Sequence, residues 1–232
     1  MSGFAPARRA GPVCRPGVAP QVGLAQTDGV MPSVSEAIVR EFFEIHGFRV
    51  RQPRKHLHRS LREQDEADFL VLNPHPSIVS EPLPFILEPE HLSGLARGLV
   101  VVKGYHTDTF SPGRLTQRTS IFRFVSGNVV KQAVRELGDG PPVTRILVVP
   151  ALPQDDEARR KSVEVMRANG VDAALSFPTI LADLFRRVEV NRDYQKSDLL
   201  QILRILKNYG LLRDPQLELF KSARTRRTAG SN

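Results

Sequence analysis

Three polar residues of this chain stand against apolar stretches, in an arrangement that suits hydrolysis of a phosphodiester. Glu36 belongs to a stretch with helical apolar spacing, Asp68 to a short apolar run, and Lys103 follows another apolar run. Two carboxylates beside a lysine can hold Mg²⁺ and orient an attacking water. The lysine would stabilise the developing negative charge or help to deprotonate that water.

Each of these residues also has a structural explanation. Glu36 is the acid of a capping box that starts at Ser33. Asp68 ends an acidic turn, and Lys103 can extend from a strand end into solvent. Spacing alone leaves both explanations open.

The hydrophobic pattern predicts the elements that carry these residues. A helix starts at Ser33 and stops at Gly47. Strands are predicted over 48–51, 67–72 and 99–104, with Asp68 inside the second of them. Five prolines in 73–90 exclude a regular element through most of that segment, and a short helix follows over 90–97.

The second half of the chain alternates strands and helices. Strands are predicted over 121–125, 145–149 and 173–177. The helix after the first strand is capped by Asn128 and ends at Gly138, the next ends at Gly170, and a third spans 178–188. A closing helix from Ser197 to Gly210 has six Leu or Ile among residues 198–209. This order predicts an α/β fold, a mixed sheet with helices on both faces.

Composition narrows the class of protein. The 232 residues are 41% hydrophobic and 25% charged, the balance of a soluble globular protein. No run approaches the roughly 18 to 20 uninterrupted apolar residues of a membrane span, so no membrane partner is expected. The single cysteine, Cys14, excludes an internal disulfide framework and a multi-thiolate zinc site. No signal peptide is visible, and we expect a cytoplasmic protein.

The positive charge is concentrated in parts of the chain. The formal net charge is +8, yet residues 33–220 contribute only +2 of it, and the terminal segments carry the rest. Within the body, residues 49–62 hold six cations and no acid. Such stretches suit phosphate contacts with DNA, and solvation of a disordered end is the alternative for the tails. The predicted nucleic-acid contacts are Arg51, Arg54, Lys55, Arg59, Arg62 and Arg114.

Several of these segments together resemble a known superfamily. The helix "SEAIVREFFEIHGFRV", the strands "EADFLVL" and "VVVKGY", and the tail "RILVVPAL", "VEVMRANGVDAALSF" and "TILADLF" are similar to the restriction-endonuclease-like, PD-(D/E)XK, superfamily. The Mrr-type branch is the nearest. The resemblance covers roughly residues 34–188 as topology, and the closing segment is otherwise similar to uncharacterised bacterial proteins. It implies a restriction-endonuclease-like core with a C-terminal helix.

The resemblance assigns roles residue by residue. The helix glutamate of the family falls on Glu36, the strand aspartate on Asp68 and the lysine on Lys103. The backbone carbonyl that often faces the metal falls on Val102. The chain departs from the pattern at Val101, where the family has an acid or amide that can ligate a cation. Glu66 and Asp108 are the candidates for a carboxylate that replaces it.

Composition, charge and the resemblance together suggest a division of the chain. We expect a disordered N-terminal segment over 1–32, a nuclease-like α/β domain over 33–190, a helical extension over 191–220 and a basic disordered tail over 221–232. A translation start at Met31 is a further hypothesis.

Two other polar groupings carry weaker signals. The loop "KGYHTDTFSPGR" follows a buried strand, where α/β proteins often place binding sites, and it is either an anion-binding loop or a polar turn. His56 and His58 could ligate zinc, but no third ligand lies near them in sequence. The sequence contains no P-loop, dinucleotide or nucleophile-elbow motif.

Two functions follow as expectations. The first is a DNA-associated, nuclease-like domain whose Mg²⁺-dependent phosphodiesterase activity is retained, weakened or lost, with Mg²⁺ as its cofactor if it is active. The alternative is a non-enzymatic interaction module that forms a homodimer through the closing helix. Packing of that helix on the protein's own core is the competing explanation.

Overall fold

Apolar spacing along the chain produces six helices and five strands in the part of the chain that the structure describes. The structure is a computed structural model, and it describes residues 34–53, 67–78, 82–104 and 106–211. The helices are α1 (Val34–Ile45), α2 (Pro112–Gln117), α3 (Gly127–Leu137), α4 (Asp156–Ala168), α5 (Phe177–Arg187) and α6 (Asp198–Asn208). The strands are β1 (Arg49–Arg51), β2 (Phe69–Leu72), β3 (Arg97–Val102), β4 (Thr144–Val149) and β5 (Ala173–Ser176). Two 3-10 helices, Pro89–Gly94 and Thr119–Val125, complete the set.

The strands form one mixed sheet in the order β1-β2-β3-β4-β5. The first three strands are a meander with antiparallel pairs, whereas β4 and β5 run parallel to β3. A bridge from Ile86 to Ala174 adds the segment around 85–87 along the outer side of β5. The carboxyl ends of β1, β3, β4 and β5 therefore share one edge of the sheet with the start of β2.

Alternation along the strands divides the core into two layers. Phe69, Val71 and Val100 face a cluster that also contains apolar residues of α1, α5 and α6. Leu70 and Leu99 face the opposite cluster, which contains apolar residues of α2, α3, α4 and the 3-10 helix Thr119–Val125. Helices thus cover both faces of the sheet, and the α/β class is confirmed.

The predicted strand over 121–125 is wrong. This segment is a 3-10 helix in which Ile121, Phe122 and Phe124 are all buried. Strand alternation would separate neighbouring Ile121 and Phe122 onto opposite faces, whereas a helical turn places both against the core.

Other boundaries also differ from the sequence prediction. The predicted helix over 90–97 is the 3-10 helix Pro89–Gly94, and Arg97 already belongs to β3. Asp68 precedes β2 rather than lying inside it. Ser126, not Asn128, is the N-cap residue of α3. Helix α2 was not predicted, because its six residues contain only one buried apolar side chain, Leu115.

None of the helices that the structure describes is both long enough and apolar enough to cross a bilayer.

Candidate functional site

The start of β2 and the end of β3 meet at one edge of the sheet. The two strands are antiparallel, so Asp68, directly before β2, lies beside the last residues of β3. Its main-chain N–H donates to the carbonyl of Val100 at 3.0 Å. Its carboxylate Oδ2 accepts a 2.7 Å hydrogen bond from the main-chain N–H of Val102. A carboxylate is thereby fixed next to the strand end that Lys103 follows.

The first turn of α1 reaches the same edge. Oε2 of Glu36 accepts a hydrogen bond of 3.0 Å from Nε2 of Gln52, which follows β1. Gly104, just after Lys103, lies so close to α1 that a Cβ on it would come 2.5 Å from Oγ of Ser35. The structure therefore brings the segments of Glu36, Asp68 and Lys103 together, although they are far apart in sequence. Ser33, the predicted capping-box partner of Glu36, lies outside the described residues.

A Ser–His contact at this edge was not foreseen from the sequence. Oγ of Ser35 and Nε2 of His106 are 2.8 Å apart. The imidazole stands edge-on to the ring of Phe177, with 4.5 Å between the ring centroids. Ser35 is buried and His106 is exposed. The sequence did mark the loop of His106 as polar, but the 71 positions between the two residues hide their pairing.

The position that departs from the superfamily pattern belongs to the core. Val101 is 2% exposed and packs in the cluster that contains Phe110 and Leu115. Asp108, a candidate replacement carboxylate, instead forms an ion pair with Nη1 of Arg114 at 2.7 Å and accepts a hydrogen bond from Nη1 of Arg118 at 3.1 Å. Its two oxygens are thus held by two guanidinium groups. Glu66, the other candidate, lies outside the described residues.

The donors that the structure describes at this edge do not make up a complete magnesium site. Mg²⁺ requires near-octahedral oxygen coordination and is usually held by one or two carboxylates, a phosphate and water. Glu36 and Asp68 are present, but each has a carboxylate oxygen engaged by an N–H donor. Among the described residues, no three His, Cys, Asp or Glu side chains form a group that could hold a metal ion.

The predicted nucleic-acid contacts fall into two groups. Arg114 pairs with Asp108, as above, and Nη2 of Arg51 lies 3.4 Å from Oε2 of Glu136. Both guanidinium groups remain half-exposed or more. The remaining predicted contacts lie outside the described residues, as do the two histidines of the zinc hypothesis. These are Arg54, Lys55, Arg59, Arg62, His56 and His58.

A second polar cluster lies away from this edge, between α1 and α5. Nε2 of His46 is 2.7 Å from Oδ2 of Asp183, and both side chains are almost fully buried. Nε of Arg187 donates to the same oxygen at 3.0 Å. Burial lowers the pKa of His46 and outweighs the opposite effect of the Asp183 hydrogen bond. The imidazole is therefore driven towards its neutral form, which joins the two helices through one hydrogen bond.

Comparison of the chain with protein-family models, curated proteins and solved structures returns no match.

Proposed function

We propose that this chain is a cytoplasmic, nuclease-like domain that associates with DNA and whose Mg²⁺-dependent phosphodiesterase activity is weakened or lost. The observation that carries the proposal is the hydrogen bond from Val102 N–H to the Asp68 carboxylate. It sets an acid at the end of the strand that Lys103 follows, beside the first turn of α1 with Glu36. These are the three residues that the superfamily resemblance assigns to catalysis.

The order of elements supports the same proposal. A helix, a three-stranded meander and two further strands, each preceded by a helix, follow one another along the chain. That is the order on which the resemblance rests. The fold alone does not determine a function, so the argument depends on the residues at the shared edge.

The surroundings of Val101 support a loss of activity rather than a rearranged site. A carboxylate at a position 2% exposed among apolar side chains would be strongly desolvated. The carboxylate of Asp108 already forms ion pairs with two arginines, so the described residues offer no obvious replacement for the missing metal-binding acid. Binding of the DNA backbone does not need the missing acid, because it depends on cations.

The part of one helical layer that runs from α2 to α3 is rich in such cations. Residues 112–137 contain five Arg or Lys and a single acid, Glu136. Arg123, Lys131 and Arg135 are exposed on this layer. Exposed cations on one side of a domain are what a sequence-independent contact with phosphates requires. We assign the DNA contact to this layer together with Arg51 and Arg114.

The metal test uses the full chain. Mg²⁺ and Mn²⁺ are titrated by calorimetry, with and without DNA, and nicking of supercoiled plasmid is followed in parallel. Asp68→Asn removes the charge but keeps an acceptor for Val102 N–H, and Glu164→Gln on exposed α4 is the charge-matched control. We expect DNA binding with nicking that is weak or absent. Any nicking that occurs must disappear in D68N and persist in E164Q, and cleavage unchanged in D68N would overturn the assignment.

The DNA test compares two triple variants of equal charge. The first replaces Arg123, Lys131 and Arg135 by Gln, and the control replaces three exposed cations from α1 and from the connection between α5 and α6, on the other face of the sheet. These control residues are Arg40, Arg192 and Lys196. We expect only the first variant to weaken binding, and to reduce the slope of log K against log salt by up to about 3. Equal losses in both variants, or no DNA binding by the wild type, would contradict the proposal.

The exposed side of α6 favours a second candidate, a module that dimerises through this helix. Leu199, Leu200 and Leu203 pack on the core, so core packing accounts for that half of the helix. Ile202 and Ile205, however, are 54% and 44% exposed, and Tyr209 follows them on the same side. Light scattering tests a second copy as the occupant of this surface. A dimer in the wild type that Ile202→Glu converts to a monomer supports it, and a wild-type monomer at every concentration excludes it.

A further inference from the structure

Arg97 is a buried cation with unused hydrogen-bond donors. It begins β3, at the opposite edge of the sheet from Lys103, and is 3% exposed. Among the described residues, neither Nε nor Nη2 of this side chain has a hydrogen-bond partner. A guanidinium group stays charged in proteins, so it cannot relieve its burial by losing a proton. A buried charge without a partner is strongly destabilising, which makes a missing anion the simplest explanation.

The geometry of the two unused donors indicates the kind of anion. Nε–H and one N–H of Nη2 point in the same direction within the guanidinium plane, and this pair binds a carboxylate or phosphate in bidentate fashion. The neighbouring strand provides an internal comparison. There, Nε and Nη2 of Arg145 donate to Oδ2 and Oδ1 of Asp172 at 2.7 and 2.6 Å. Arg97 offers the same pair of donors without a carboxylate of the described chain to accept them.

The immediate cover of Arg97 is a glycine. A Cβ on Gly140 would lie 2.8 Å from Nη1 and 3.5 Å from Cδ of Arg97, and Gly140 has a φ of +153°. Any larger residue would displace the guanidinium. Gly140, which contacts the Nη1 side of Arg97, is itself exposed. Nε and Nη2 are themselves inaccessible to solvent, so a small ligand reaches them only after a local movement of the chain around Arg97.

The other buried polar atom without a hydrogen bond has a different environment. Oε2 of Glu136 lies 3.4 Å from Nη2 of Arg51, close enough for an ion pair. Glu136 thus has a charged partner, whereas no ion pair is found for Arg97 among the described residues.

We propose that Arg97 is the core of a binding site for a small oxyanion that presents two oxygens side by side. A carboxylate and an inorganic phosphate share this chemistry, and chloride lacks it. The site lies at the edge of the sheet opposite Asp68 and Lys103, and it does not depend on the proposed DNA association. The ligand would accept two hydrogen bonds from Nε and Nη2 of Arg97, as Asp172 does from Arg145.

The test uses the full chain and three sodium salts at equal ionic strength: formate, phosphate and chloride. We expect formate or phosphate, but not chloride, to raise Tm progressively with concentration, as ligand binding to the folded state does. Arg97→Lys keeps the charge without the parallel donor pair, so the increase should disappear. Arg145→Lys, the matched control, should keep it. The salt that acts distinguishes a carboxylate from a phosphate ligand.

A direct measurement covers the case in which R97K does not fold. In wild-type protein with ¹⁵N-labelled arginine, the Nε–H signal of Arg97, assigned through bonds, should shift saturably with the active salt. The Arg145 signal should remain in place, because its donors are already engaged. An Arg97 signal that responds to neither formate nor phosphate overturns the proposal, as does an equal Tm increase in chloride.

Discussion

The carboxylate of Asp68 accepts a 2.7 Å hydrogen bond from the main-chain N–H of Val102, 34 residues further along the chain. The bond joins the start of β2 to the end of β3 beyond the last paired residues of the two strands. Asp68, a candidate catalytic acid, therefore also fixes the main chain directly before Lys103. Changes at Asp68 must be designed to separate these two roles.

Asp68→Ala should lower the free energy of unfolding by about 1–3 kcal/mol, because it leaves a half-buried N–H without its acceptor. Asp68→Asn should cost clearly less, since an amide oxygen can accept the same bond. Urea unfolding of both variants measures the difference. Equal losses would show that the charge, and not the hydrogen bond, stabilises this edge.

Gly104→Ala should destabilise the protein by about 1–3 kcal/mol, since the added methyl would meet Oγ of Ser35 at 2.5 Å. The cost should be smaller in a Ser35→Ala background, where this oxygen is absent. Gly113→Ala in α2 is the control, because its methyl meets nothing within 4 Å and should stabilise the helix by up to about 1 kcal/mol. A double-mutant cycle by thermal unfolding measures the coupling, and additive costs would contradict the contact.

The burial of His46 should make stability dependent on pH. The pKa of His46 is lowered in the folded protein, so the unfolded chain binds more protons between this pKa and the ordinary value of about 6.5. The stability is therefore complete above about pH 6.5 and is lost as the pH falls towards the folded-state pKa. Asp183, Arg187 and Glu90 act on this group, and burial dominates.

His46→Gln should remove this part of the pH dependence, because glutamine does not titrate. Chemical unfolding of the wild type and H46Q at a series of pH values gives the difference curve. The wild type should lose stability relative to the variant on acidification. Parallel curves would mean that the imidazole titrates equally in both states.

Val101→Glu tests whether the departure from the superfamily pattern can be reversed. The side chain would enter the apolar cluster around Phe110 and Leu115, so we expect a loss of at least about 2 kcal/mol in the free energy of unfolding. Val101→Thr replaces one methyl group by a hydroxyl and should cost less. Metal titration of folded V101E should give no gain in affinity, and a large gain would show that this position still belongs to a metal site.

Clear hydrophobic patterns in the sequence predicted most of the fold. Helix α1 was predicted from Val39, Phe42 and Phe43 at helical spacing. Strand β4 was predicted from a continuous apolar run, as expected for a strand that is buried on both faces. The 3-10 helix Thr119–Val125 was missed, since its short apolar run fits a strand equally well. Helix α2 is too short to show any period. The segment around Ile86, which pairs with β5, was hidden among prolines.

The candidate site was predictable only for residues that stand out within a single helix or strand of the sequence. Glu36, Asp68 and Lys103 were singled out because each stands against an apolar element, and the structure places their segments at one edge. The partners of these residues were not predictable. Ser35 and His106, or Asp68 and Val102 N–H, meet only through tertiary packing, and no local pattern records it. The unused donors of Arg97 are likewise a property of the folded environment.

The two outermost strands of the sheet, β1 and β5, affect how readily this protein aggregates at high concentration. Strand β1 has only three residues, and Arg49 and Arg51 are exposed on it. At the other margin, hydrogen bonds between Ala174 and residues 85 and 87 occupy the outer side of β5. Outer strands that are short, cationic or covered discourage the addition of a strand from another molecule. Aggregation should therefore begin only after the meander or the 85–87 segment has detached, which makes these two pairings the natural targets for improving shelf life.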